Sequence, residues 1–171
     1  MYWFWAWLII AGIILLLLIR NNKARKQVYR SVRLLHNRFA SLKERRGSRQ
    51  LKVVNEYRRK HGLRPLKVYY ELDRIARGHS HYMAKHRSCN HAGFPHRAAD
   101  ARRVTGSGYV SENCFRYPAR VYNTHVARRL VQGWMKSPGH RANLMNPRYT
   151  KIGIGIVTKG GYVYATQIFT G

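Results

Sequence analysis

The sequence predicts an α+β domain set behind a membrane-spanning helix and a basic helical stalk. Three observations lead there: residues 2–19 carry no charge, residues 21–48 are cationic with a helical apolar period, and from residue 50 helical patterns come first and strand patterns last. Helices followed by strands, rather than strands alternating with helices, argue for α+β over a wound parallel sheet.

Residues 2–19, YWFWAWLIIAGIILLLLI, form an unbroken uncharged run. At about 1.5 Å per residue such a helix spans about 27 Å, close to the hydrocarbon thickness of a bilayer. Tyr2, Trp3, Trp5 and Trp7 gather at one end as an interfacial belt does. No cationic segment precedes the run and no small-residue cleavage site lies before Arg20, so residues 1–20 read as a retained signal-anchor rather than a cleaved signal peptide. This makes a single-pass membrane protein, with the bilayer itself as a partner.

In the stalk, residues 21–49, Val28, Val32, Leu35, Phe39 and Leu42 fall on one helical stripe. Arg20, Lys23, Arg25 and Lys26 are expected at the membrane surface, against anionic headgroups. A solvated stalk or short coiled coil is the alternative. The cations follow the apolar run, which by the positive-inside rule holds the following domain on the cytoplasmic side. Gly47 and Ser48 mark the hinge into the domain, residues 50–171.

Residues 50–62 read as a helix ended by Gly62, after which Pro65 imposes an extended backbone. A second helix carries Leu72, Ile75, Ala76, His79, Ser80 and Met83 on one face. Residues 88–118 lack a period and read as a long irregular region, which in a compact domain is usually functional. A third helix is expected over about 119–135. Lys151–Val157 alternates Ile with Gly, Tyr162–Phe169 is aromatic and β-branched, and Lys159-Gly160-Gly161 between them signals a hairpin. No internal repeat is present.

The chain of 171 residues holds 33 Lys or Arg against 6 Asp or Glu, a formal charge of +27. That excludes a neutral cytosolic enzyme and favours an anionic partner: nucleic acid, anionic lipid or an acidic polymer. Hydrophobic residues at 45% suffice for a packed core. Two cysteines, Cys89 and Cys114, exclude a disulfide-dense scaffold and a paired-CxxC zinc site.

Acids are therefore informative. Glu112 is the sole carboxylate in residues 101–171, and it shares the irregular region with His91 and His96. An imidazole beside a carboxylate serves as an oriented base, a proton relay or half a divalent metal site; the bland alternative is a buried hydrogen bond that fixes loops. His140 follows Ser137-Pro138-Gly139, where a helix must turn. Cys89 and Cys114 each lie two residues from a candidate site residue, so they are expected close together, placed for a disulfide or soft metal ligation.

Asn55-x-x-Arg58, Gly62-Leu63-x-Pro65-Leu66, Leu72-x-x-Ile75-Ala76-x-x-His79-Ser80-x-x-Met83, His91, Glu112-Asn113, Gly133-Trp134-Met135-x-Ser137-Pro138-Gly139-His140-Arg141-x-Asn143 and Ile152-Gly153-Ile154-Gly155 through Thr166-Gln167-x-Phe169 together resemble the CAP superfamily. These are the cysteine-rich secretory, antigen 5 and pathogenesis-related 1 proteins, the SCP domain, here in its short microbial form. The resemblance runs from about residue 50 to the C-terminus. It implies an α-β-α sandwich with a central, mainly antiparallel sheet and a cleft. The family lines its cleft with two His and two acids, which in some members bind zinc or another divalent cation. By that resemblance the first His falls on His91, the first Glu on Glu112 and the second His on His140, while the second Glu falls on Ser137. The tetrad is thus incomplete, though three ligands still hold a zinc ion. His96 is a stand-in for His91. Most family members are secreted or face outward, against the orientation that the charge bias favours.

Function follows from the cleft His91, Glu112, His140 and Ser137. A non-catalytic, membrane-anchored module binding a lipid or peptide, with zinc or another divalent cation on His91, Glu112 and His140, needs no nucleophile. A zinc-dependent, peptidase-like hydrolase is the alternative. Ser137 with His140 lacks a nearby carboxylate to orient a triad. Nucleic-acid binding is suggested by charge and 12 Tyr but by no recognition motif.

Overall fold

The computed structural model describes residues 27–31 and 47–171. Two compact units are present, Met1–Lys43 and Glu44–Gly171. In the first, residues 27–31 are helical. The expected span at 2–19 and the cations Arg20, Lys23, Arg25 and Lys26 lie outside the described residues. Among the described residues no helix is long and apolar enough to cross a membrane.

The second unit opens with α1, residues 47–60. There follow β1 (Lys67–Val68), α2 (Tyr70–His86), α3 (Phe94–Thr105), β2 (Val110–Pro118), α4 (Thr124–Lys136), α5 (Pro138–Leu144), β3 (Lys151–Lys159) and β4 (Tyr162–Thr170). The sheet order is β1-β3-β4-β2; β1 runs parallel to β3 and the other pairings are antiparallel. The expected α+β class therefore holds.

Strand alternation sends successive side chains to opposite faces. Ile152, Ile154, Val163, Ala165 and Phe169 pack with Val53 and Val54 of α1, with Val126, Leu130 and Trp134 of α4 and with Leu144 of α5. On the other face Ile168 packs with Leu72, Ala76 and Ala101, and Tyr164 and Cys114 pack with Met83 and Ala84, so α2 and α3 cover that side. Helices cover both faces of the sheet.

Two devices lock these layers. Arg58, fully buried, donates from Nε to Arg64 O at 2.8 Å, from one terminal nitrogen to Leu144 O and Asn146 O at 2.7 and 3.0 Å, and from the other to Tyr149 O at 3.3 Å. The fixed guanidinium fork gathers carbonyls from two loops and the end of α5. Asn55 holds the extended segment after Gly62 by accepting from Leu66 N and donating to Leu66 O. The second device is bare backbone: a Cβ on Gly153 would lie 2.2 Å from Leu72 C, and one on Gly155 2.2 Å from Ala76 C. α2 therefore rests directly on β3, and Asp73 Oδ1 accepts from Ile154 N at 2.6 Å where the two meet.

Three sequence expectations change. Gly47 and Ser48, expected as the hinge into the domain, already lie within α1, residues 47–60. The stretch 88–118 is not irregular throughout but contains α3 and β2. α3 buries only Ala98 and Ala101, so it leaves no period of large apolar residues, and Glu112 and Asn113 at the middle of β2 are buried polar groups that break the strand signature. The helix expected from about 119 starts instead at Thr124, because the Asn123 side chain accepts from Val126 N at 3.0 Å.

β2 is a sheet edge. Its outward carbonyls at Glu112 and Cys114 accept from Asn143 Nδ2 at 3.3 Å and Trp134 Nε1 at 3.1 Å.

Gly155→Ala should cost about 3 kcal/mol or more, because backbone rather than a movable side chain occupies the space. Gly78→Ala, whose Cβ meets nothing within 4 Å, should gain about 1 kcal/mol from helix propensity. Urea titration of both variants checks the pair.

Candidate functional site

Glu112 sits on the α2/α3 face of β2 and is only 5% exposed. A carboxylate so placed must be fully hydrogen-bonded. Arg97, one turn into α3, approaches it side-on, with Nε to Oε2 at 2.7 Å and a terminal nitrogen to Oε1 at 2.8 Å. His91 Nδ1 adds a third donor to Oε1 at 2.8 Å. Arg97 also donates to Ala92 O at 2.6 Å, so the same guanidinium that neutralises Glu112 fixes the turn carrying His91. Burial pushes the Glu112 carboxyl up, but the bonds from Arg97 and His91 outweigh it and hold the group below its ordinary range.

His79 closes the inner side. Its Nε2 lies 2.8 Å from Asn90 O, an acceptor only, which assigns the proton to that nitrogen. Burial lowers its pKa, so its 3.9 Å approach to Glu112 joins a neutral ring to an anion. By the same logic His91 Nδ1 carries a proton toward the carboxylate, and its Nε2 faces away from Glu112. That side chain is 49% exposed. His140, on α5 past the Ser137-Pro138-Gly139 turn, places its ring centroid 6.3 Å from that of His91. Its Nδ1 is buried and has no protein partner. Burial, then the neighbouring His91, lowers its pKa, which keeps it neutral and able to accept or ligate.

The structure thus joins His91 and Glu112 directly and sets His140 beside His91. Ser137 stands at the N-cap of α5 without a side-chain cap bond and makes no hydrogen bond to His140. His96 is exposed on the first turn of α3 and does not bond Glu112. Cys89 and Cys114 are free thiols, one exposed and one buried. Burial pushes the Cys114 thiol up, and Glu112 and Cys89 push the same way.

Sequence reasoning missed Arg97 and the role of His79. Arg97 is one of 33 cations with nothing to mark it, and His79 shows only as a polar member of an apolar helix face. His79, Glu112 and Cys114 also form a buried group whose ligand atoms lie within 4.8 Å of one another, compact enough for a metal ion. An ion there would have to displace the Nε2 proton that binds Asn90 O and the proton of a raised thiol. His91 and His140 form a second imidazole pair, with ring centroids 6.3 Å apart, and Glu112 stands behind His91 as an outer carboxylate.

A sequence model of the cysteine-rich secretory protein family, CAP, matches residues 51–170. The Bacillus subtilis (strain 168) protein YkwD is 31% identical over 127 residues, 71% of this chain and 45% of its own length. YlbC of the same organism, named a membrane protein, is 31% identical over 122 residues, 70% of this chain and 32% of its own length. This chain therefore spans less than half the length of either relative. Among solved structures, an extracellular SCP-domain protein from Bacillus anthracis str. Ames is similar with a TM-score of 0.58 and 28% identity over 72% of this chain and 39% of that one.

Arg97→Ala should destabilise the domain by about 3 kcal/mol or more, since it strands a buried carboxylate. The depressed Glu112 pKa stabilises the fold above the unfolded value of about 4.3, and this contribution is lost as pH falls through the folded value. Denaturant midpoints should accordingly fall steeply below about pH 4 in the wild type. Glu112→Gln should start lower at pH 7 and show a flattened acid limb.

Proposed function

The chain is a member of the cysteine-rich secretory protein (CAP) family, and on that premise we propose that it is a membrane-anchored binding module without a reaction of its own. Its cleft takes a lipid or peptide ligand beside His91 and His140, together with zinc or another divalent cation. The observation that carries this reading is the saturation of Glu112: Arg97 and His91 supply three donors to its two oxygens. A carboxylate so engaged orients an imidazole and has little basicity left for activating water.

His91 Nε2 and His140 would hold the cation, with Glu112 fixing the His91 tautomer from behind. Bound there, a divalent ion supplies concentrated positive charge for a ligand carbonyl or headgroup oxygen. His91 presents the lone pair, His140 the second imidazole, and the Arg97-Ala92 bond keeps the turn in place. The hydrolase reading has one favourable observation, the oriented and half-exposed His91 ring, which is the arrangement of a general base.

Anchoring rests on the uncharged residues 2–19, with Arg20, Lys23, Arg25 and Lys26 next to the headgroups. A relative, YlbC, is named a membrane protein. Charge bias places the domain on the cytoplasmic side, and family habit places it outside.

Isothermal titration of the detergent-solubilised chain with zinc should show one weak site per chain whose affinity falls toward acid pH, because protons compete with the metal for the imidazole nitrogens. His140→Ala should abolish uptake and Cys114→Ser should leave it. The reverse pattern moves the ion to the His79, Glu112 and Cys114 group, and zinc-dependent turnover of peptides would replace the binding reading with the hydrolase. Protease added to intact vesicles should spare the C-terminal domain; digestion without permeabilisation places the domain on the outer side.

A further inference from the structure

A groove lies between α2 and α3; His79 and Arg97 of the Glu112 site line it, and His91 and His140 do not. It is open along one side and has a volume of about 490 Å³. It continues past Asp100 into a smaller compartment of about 330 Å³.

Its charges do not cancel. Arg97 is committed to Glu112, and Asp100 is paired with Arg103 at 2.9 Å. Burial keeps His79 neutral. Arg74, on the α2 wall, is exposed and makes no hydrogen bond or ion pair among the described residues. Glu71, three residues before Arg74 on α2, lines the smaller compartment together with Arg74 but makes no ion pair with it among the described residues. Arg74 is therefore the one guanidinium lining the larger compartment that makes no ion pair among the described residues.

Its walls suit a flat or apolar body. Ile75 lies on the α2 side, and the Tyr82 ring stacks on His79 at 5.9 Å between centroids with 14° between planes. The two walls also lack side chains where they would obstruct entry. Gly93, at φ 73°, is the α3 N-cap, a left-handed position that glycine serves. Gly78 has no such reason. It sits inside α2, where glycine costs about 1 kcal/mol relative to alanine, and a Cβ there would meet nothing within 4 Å. Packing does not require this glycine; what its bareness preserves is the open volume of the groove.

We propose that the α2/α3 groove is a second ligand site, which binds a small organic anion: a carboxylate or phosphate on Arg74, carried by a ring or short apolar body that lies against Tyr82 and Ile75. The carboxylate and phosphate share one chemistry here, a planar or tetrahedral oxyanion facing a guanidinium.

The full chain in detergent micelles should be titrated with benzoate and with phenyl phosphate, followed by the amide NMR signals of Gly78, Ala92 and Gly93. Either anion should move these signals saturably, and the tighter of the two names the head group. Benzyl alcohol, which lacks the charge, and inorganic phosphate, which lacks the body, should bind at least tenfold more weakly. Arg74→Gln should weaken benzoate or phenyl phosphate at least tenfold. Gly78→Leu should abolish binding while leaving the melting temperature equal or higher, which separates blocking from misfolding. The proposal is overturned if neither anion binds, if benzyl alcohol binds as tightly as benzoate, if Gly78→Leu binds undiminished, or if the largest shifts fall on His91 and His140.

Discussion

The absence of two Cβ atoms on β3 governs the geometry of this domain. Where Gly153 and Gly155 pass beneath α2, helix backbone touches strand backbone, so the helix axis sits closer to the sheet than side-chain packing would allow. Everything on the inner face of α2 inherits that distance. Ser80 reaches both Gly155 O and Thr166 Oγ1, and His79 is carried deep enough to close over Glu112. A larger residue on β3 would lift the helix and open the carboxylate to water.

Around Glu112 the ordinary relation between acid and base is inverted. In a chain with a surplus of cations a lone buried carboxylate is the scarce partner, and the structure spends it on organisation: one arginine and one histidine from different segments converge on two oxygens. The charge that a sequence reading assigns to a ligand is consumed as an internal counter-ion. What remains for chemistry is the far side of each imidazole, which makes the opening a nitrogen-lined surface and not an acidic one.

Much of this was legible in the sequence. The apolar period of α2, the Gly-Gly turn between β3 and β4 and the isolation of Glu112 each follow from local pattern. Asn55 and Arg58 were visible as a motif, although their partners, backbone carbonyls from Arg64 to Tyr149, were not, because a carbonyl carries no residue identity. α3 escaped detection since alanine is its buried residue, and β2 since its centre is polar. Arg97 could not be singled out at all: its role depends on a helix whose existence was itself hidden. The membrane span and stalk rest on composition alone.

Side chains finish the sheet. Trp134 and Asn143 donate to the outward carbonyls of β2, so two of the groups that another strand would need are already taken. An open edge is a template for pairing between molecules, and the hazard grows when copies are confined to two dimensions at high local density. On this edge the indole of Trp134 and the amide of Asn143 occupy two of the positions at which a strand from a second copy would pair.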